Sequence, residues 1–351
     1  MSAPCRNPLH CYLPPHVLDA LSKSDDPELR EVAIGGISAG ASARRVRIAF
    51  SAMPIMAAIP SAAGDKHRLV YDMQEDTGPL PGRLVREEGQ APSGDEAADE
   101  AYDGAGATYE FYKDVHGRNS LDGKGMVLKS LVHYGNKVDN AFWDGEQMLY
   151  GDGDGRLFDR FTKSVEVIAH ELTHGVVQYE ANLEYQGEPG ALNESFADVM
   201  GLQVEQKVKG RSVEEADWWL GGEIILPEAG VKGIRTFTAD KAYEDNPLFG
   251  TDPQPKHMDD KYTGRQDNGG VHINSGIPNH AFYLVATELG GNSWERAGSI
   301  WYKTLRNLNR YSNFAEAAAM TIQVATADFG ANGEELQAVA SAWEAVGVEP
   351  A

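Results

Sequence analysis

At 351 residues and 42% hydrophobic, the chain holds enough apolar material for two cores with a cleft between them. A formal charge of −22 with no Lys/Arg-rich run excludes a polyanion-binding role such as nucleic-acid recognition. No stretch approaches the ~18 apolar residues of a membrane span, so a soluble protein is expected.

The start, MSAPCRNPLHCYLPPHVL, lacks a basic region followed by an apolar core and a small-residue cleavage site. The expectation is synthesis in the cytoplasm, with any export by a non-classical route. Both cysteines, Cys5 and Cys11, lie here, so everything after residue 11 must be stable without disulfides. Residues 1–60 read as one compositional block: a Pro/Cys start, a helix from His16 to Ile37, and a Gly/Ala/Ser stretch with basic Arg44, Arg45 and Arg47. Ala57 to Gly64 reads as a linker.

From Arg68 to Gly155, short runs of alternating residues separated by Gly and Asp predict strands and turns, with one helix around Ala101 to Val115 and a turn at Gly151 to Gly155. After Phe161 the period changes. Val165, Ile168, Ala169, Leu172 and Val176 fall on one face of a long buried helix. Further helices are predicted at Leu192–Val208, Ile277–Glu288, Ser293–Leu305, Asn313–Asp328 and Gly333–Ala345, so the second half is mainly helical. The expected domains are 1–60, a β-rich 61–180 ending in the long helix, and a helical 181–351: an α+β chain.

The chemistry centres on His170-Glu171-Leu172-Thr173-His174 of the long helix. Positions four apart share a face, so both imidazoles can reach one metal ion with Glu171 beside it. The bland reading, two core histidines, loses ground because Asn193-Glu194-Ser195-Phe196-Ala197-Asp198 begins 19 positions after His174. Glu194 supplies a third ligand, completing a His, His, Glu set that zinc hydrolases use with an open fourth position. Asp198 can accept the second ring proton of His170, and Asn193 that of His174. A further segment, Asp267 to Gly276, carries His272 after two glycines, with Asp267 available to orient and charge its ring as an oxyanion donor.

Residues His170–His174, Gly187–Asp198 and Asp267–Gly276 resemble, in order and spacing, the three signature segments of the thermolysin family. Val132-His133-Tyr134-Gly135 and Asn140-Ala141-Phe142-Trp143 are similar to its substrate-binding edge strand. The resemblance runs from about residue 68 to the C-terminus and implies a β-rich lobe, a helical lobe and a cleft holding one catalytic zinc. It implies that His170, His174 and Glu194 are zinc ligands and that Glu171 is the general base. It further implies that Tyr185 and His272 stabilise the intermediate and that Asp267 holds His272. Arg235, Asn140 and Ala141 correspond to residues that hold substrate backbone. Val167 and Ile234 correspond to lining residues of a pocket for a large apolar side chain just after the cut bond.

By the resemblance Glu166, Glu205 and Asp217 match acids of a double calcium site, but Trp219 and Gly222 stand where two more acids are expected, which leaves open whether calcium binds once, weakly or not at all. Cys11-Tyr12-Leu13-Pro14-Pro15 resembles the Pro-Pro motif in the short pro-segment of the protealysin-like branch. The implied partners are protein and peptide substrates and the chain's own pro-segment, an intramolecular inhibitor. Two readings of the inhibitor are open: Cys11 approaches the zinc as a thiolate ligand, or Leu13, Pro14 and Pro15 block the cleft sterically with Cys11 incidental. A zinc-stabilised binding module is the rival reading, against which Glu171 argues, since a closed structural site needs no unligated carboxylate. A zinc aminopeptidase would need an acidic anchor for a free amine, and no motif for one is present.

Overall fold

Alternating apolar residues after Arg68 build a mixed sheet, and the change of period after Phe161 builds helices against it. The computed structural model describes residues 10–51 and 66–351, so the linker and Cys5 lie outside the described residues. The strands are β1 (His10–Cys11), β2 (Arg68–Asp72), β3 (Arg83–Glu87), β4 (Leu128–Val132), β5 (Ala141–Trp143) and β6 (Met148–Tyr150). They form one six-stranded sheet in the order β1-β5-β6-β4-β2-β3. The β2–β4 and β4–β6 pairs are parallel and the rest antiparallel. The end of this sheet nearest the site is closed by β1, which pairs His10 with Trp143 and Cys11 with Phe142.

In the N-terminal block, helix α1 (Pro15–Leu21) and helix α2 (Pro27–Ser51) replace the single predicted helix. The break falls at Ser22 to Asp26. Asp26 accepts the amide of Glu28 at 2.9 Å, a local bond that starts a new helix instead of continuing the old one. The block is tied to the rest of the chain by Asp26–Arg156 at 2.7 Å and Glu28–Lys137 at 3.2 Å.

Helix α3 (Glu96–His116) begins earlier than its periodicity predicts because Asp95 caps it, accepting the Ala98 amide at 3.0 Å. Helix α4 (Val165–Tyr179) is buried from Glu166 to Val177, so it has no solvent face. Its polar side packs on α5 (Gly187–Lys209) and its apolar side on α3 and β5. Gly201 permits that packing: a Cβ there would lie 2.9 Å from the Glu166 carbonyl oxygen and 3.1 Å from the His170 amide nitrogen. The absence of a side chain lets α5 approach α4 closely enough for side chains of both to share one ion.

A two-stranded ribbon, β7 (Trp219–Leu220) and β8 (Arg235–Thr236), flanks the cleft. The predicted loop at Asp267–Gly276 is a left-handed turn, with φ between 50° and 82° from Asp267 to Gly270, leading into the rest of α6 (Gln266–Asn274). The chain closes with α7 (Gly276–Leu289), α8 (Arg296–Leu305), α9 (Phe314–Phe329) and α10 (Glu334–Ala345). A mixed sheet in the first half and a helical second half, meeting along α4, make this an α+β fold.

Candidate active site

The two histidines of α4 face each other across one turn, with Nε2 atoms 3.1 Å apart. Glu194, from α5, brings a carboxylate oxygen to 3.6 Å from each Nε2. Among the described residues, His170, His174 and Glu194 are the group of three metal-binding side chains whose ligand atoms all lie within 4.8 Å of one another. Their tautomers are set from behind. His170 Nδ1 lies 2.9 Å from Asp198 Oδ1, and His174 Nδ1 lies 2.8 Å from Asn193 Oδ1. The His174 Nδ1–H therefore donates outward to Asn193, while His170 Nδ1 faces the Asp198 carboxylate, and the two Nε2 atoms are turned toward each other beside a second carboxylate. Burial lowers the His174 pKa well below its ordinary value, which keeps the ring neutral. Two facing lone pairs and an anion repel unless a cation lies between them, and neutral imidazoles with one carboxylate are a donor set that suits zinc. The residues present fit that ion.

Asp198 is itself held by Arg235 Nη2 and by Asn279 Nδ2, each at 2.8 Å. Burial favours the neutral acid, but Arg235 and then His170 outweigh it and hold the carboxyl well below the usual range. Asn279 is a supporting residue that sequence spacing does not reveal.

Glu171 is fully buried beside this group and takes no side-chain hydrogen bond. Burial pushes its carboxyl well above the usual range, with Cys11 and Glu194 adding to the effect. Across the cleft, His272 Nδ1 lies 2.6 Å from Asp267 Oδ1, and Asp267 Oδ2 accepts the His272 amide at 2.7 Å. Burial opposes a charge on His272, yet Glu194 and Asp267 hold its pKa well above the ordinary value. Tyr185 donates its hydroxyl to Glu194 and lies 3.2 Å from His272 Nε2.

The N-terminal segment lies in this cleft. Cys11 is paired with β5, and its carbonyl oxygen accepts from His272 Nε2 at 3.0 Å. The Tyr12 amide donates to the Ala141 carbonyl at 3.2 Å, and Arg235 Nη1 donates to the Tyr12 carbonyl at 2.8 Å. The Leu13 amide donates to Asn140 Oδ1 at 2.8 Å, and Asn140 Nδ2 returns a longer bond of 3.4 Å to the Leu13 carbonyl. Every polar group of Tyr12 and Leu13 is thus engaged by the cleft, while the Cys11–Tyr12 peptide bond faces the His272 ring.

Residues 62–178 match the catalytic domain of thermolysin metallopeptidases, and residues 181–348 match their α-helical domain. The chain belongs to the thermolysin family of metallopeptidases. An "Extracellular metalloprotease" of Pectobacterium carotovorum subsp. carotovorum is 48% identical over 289 residues, covering 82% of each chain. "Protease PrtS" of Photorhabdus sp. (strain Az29) is 48% identical over 288 residues, covering 81% of this chain and 76% of its own. Among solved structures, the "Precursor of Protealysin, Metalloproteinase from Serratia proteamaculans" superposes with a TM-score of 0.87 at 41% identity, covering 97% of this chain and 99% of that one. As a thermolysin-family enzyme the chain is a hydrolase of peptide bonds, and His170, His174 and Glu194 form its His-His-Glu zinc site.

Several residues stand elsewhere than the sequence led one to expect. Cys11 is in the cleft, but its sulfur is outside the three-donor group and lies 3.8 Å from His272 Nε2. Leu13 and Pro14 are buried, whereas Pro15 is exposed and begins α1. Tyr12, which sequence reasoning missed as a cleft residue, fills the pocket beside Ile234. An aromatic residue two positions before Pro-Pro was the available signal.

Among the described residues, Glu166, Glu205 and Asp217 do not form a group whose ligand atoms all lie within 4.8 Å of one another. Glu166 turns inward, accepting from Tyr12 and from the Gly221 amide. Burial, then Glu205, pushes its carboxyl up to about 8. Glu205 is paired with Lys209, whose ammonium also lies 2.9 Å from Glu223, and Asp217 is exposed. The Lys209 ammonium thus neutralises the Glu205 and Glu223 carboxylates.

Proposed function

We propose that this chain is a zinc endopeptidase precursor that cuts on the N-terminal side of bulky hydrophobic residues and is held latent by its own residues 1–60. The observation carrying this reading is the way Cys11, Tyr12 and Leu13 are hydrogen-bonded as an added strand beside the His-His-Glu group. Zinc bound to His170, His174 and Glu194 would supply a Lewis acid that polarises the scissile carbonyl and acidifies a water molecule.

The rest falls to the protein's own groups. Glu171, buried and without a side-chain partner, accepts the water proton and later passes it to the departing amine. His272 and Tyr185 donate to the oxygen that gains charge. The His272 Nε2 is already 3.0 Å from the carbonyl oxygen of Cys11, which occupies the substrate position. Arg235, Asn140 and Ala141 hold the main chain on the far side of the cut, and Asp267 fixes the His272 ring. For the charge around Glu205 we propose replacement of calcium by Lys209.

Purified full-length chain, incubated with zinc and separately with a chelator, tests the whole reading by intact mass, N-terminal sequencing and casein cleavage. Zinc-dependent loss of an N-terminal piece, followed by internal cleavage of casein, supports it. Release of single N-terminal residues only would establish an aminopeptidase instead, and an intact, inert chain would establish a binding module.

A further inference from the structure

The pocket that holds Tyr12 ends in a carboxyl group. Tyr12 has no exposed surface, and its ring stands edge-on to Phe161 and His170 at centroid distances of 6.4 and 5.2 Å. The Arg235 guanidinium carbon lies 4.8 Å from the ring centroid. A phenylalanine ring would make every one of these contacts. The phenol oxygen adds one more: it donates to Glu166 Oε2 at 2.8 Å, with both residues buried.

Two observations show a pocket shaped for that oxygen. Glu166 Oε2 also accepts from the Gly221 amide at 2.9 Å, so the carboxyl is held in place from the ribbon side, while Oε1 has no partner. Gly221 has φ +75°, and a Cβ there would lie 3.1 Å from the phenol oxygen and 2.8 Å from Ile234 Cγ1. The wall beside the phenol is therefore bare backbone. Opposite an apolar ring edge the buried carboxyl would keep only the Gly221 amide as a donor, whereas a phenol supplies a second, so the pocket penalises the side chain that lacks the hydroxyl.

We propose that Glu166 and Gly221 make this pocket a tyrosine subsite, selecting a tyrosine just after the cleaved bond over phenylalanine or leucine, and that Tyr12 is the N-terminal segment's own occupant of it. This rests on the peptidase reading above.

The test uses full-length chain loaded with zinc and incubated until activity is constant, then given peptides that differ only in Tyr, Phe or Leu after the scissile bond. Mass spectrometry reads the relative kcat/KM. The wild type should prefer Tyr over Phe by about tenfold, the scale of one buried hydrogen bond to a carboxyl. Glu166→Gln, which keeps an acceptor, should retain a preference, while Glu166→Met and Gly221→Ala should bring the ratio toward one.

Equal cleavage of the Tyr and Phe peptides by the wild type, or an unaltered ratio in Gly221→Ala, overturns the subsite and leaves the peptidase reading standing. Cleavage of no peptide overturns both. A readout without turnover applies to the full-length chain: Tyr12→Phe should reduce hydrogen-exchange protection of the Tyr12 and Leu13 amides by about tenfold. Unchanged protection there overturns the proposal even if Glu166→Met fails to fold.

Discussion

Latency should depend on Tyr12 and not on the Cys11 thiol, and a pair of variants separates the two. Tyr12→Ala removes a side chain with no exposed surface from a pocket that Leu13 and the main chain cannot refill. Truncating a buried aromatic costs about 3–5 kcal/mol, which includes the lost hydrogen bond to Glu166, so the segment should leave the cleft about 10²–10⁴ times more readily. Cys11→Ser changes an atom 3.8 Å from His272 Nε2 and outside the zinc donor group. It leaves the carbonyl bond to His272 and the pairing with β5 in place.

The assay is the lag before casein cleavage and loss of the N-terminal piece in full-length chain, zinc-loaded and under reducing conditions. Tyr12→Ala should shorten the lag by two orders of magnitude or to the dead time, and Cys11→Ser should match the wild type within about threefold. If Cys11→Ser matures as fast as Tyr12→Ala, a thiol–metal bond holds the precursor closed and the main-chain argument fails. A full wild-type lag in Tyr12→Ala would show that the pocket is not the anchor.

Glu171→Ala should retain zinc, because the three donors remain, while casein cleavage falls by about 10³-fold or more; measured zinc content with wild-type activity would remove Glu171 from the mechanism. His272→Ala should lose about 2–4 kcal/mol of transition-state stabilisation, read in kcat, with zinc content unchanged, and a wild-type kcat would make His272 a structural residue only. His133 is held at about 9 by Asp152 first, against partial burial, with Asp95 adding, so its contribution to stability is complete below pH ~6.5 and is lost as pH rises to about 9. After solvent screening this is on the order of 1 kcal/mol, and the difference in melting temperature between wild type and His133→Gln should shrink across that window; a constant difference would refute it. Lys209→Met should create a calcium response in the melting temperature that the wild type lacks, and a wild-type shift at about 0.1 mM calcium would overturn the replacement of calcium by Lys209.

The zinc site was legible because its information is local. Four-residue spacing on one helix fixes His170 and His174 on a common face, and any close helix carrying a carboxylate completes the set. What places Glu194 is less visible: Gly201 acts through the side chain it lacks, and helix approach leaves no periodic trace. Strand order was equally hidden, since β4 and β6 are short buried runs whose parallel pairing depends on partners far along the chain. The direction of Glu166 was hidden for a related reason. A carboxylate on an acidic chain reads as an ion ligand, but its rotamer is chosen by the Gly221 amide and the Tyr12 phenol, 55 and 154 residues away.

The N-terminal segment shows where composition misleads. Two cysteines near a zinc enzyme's start suggest thiol ligation because sulfur is a good zinc donor, but donor strength acts only where backbone geometry brings the sulfur in. In an extended segment, consecutive side chains leave on opposite faces. Once Tyr12 is committed to the pocket and the Cys11 carbonyl to His272, the direction of the Cys11 side chain is already decided. The sulfur's position beside His272, outside the donor group, follows from the pairing with β5 and the fit of one aromatic ring. Replacing that ring should therefore move the segment more than replacing the sulfur.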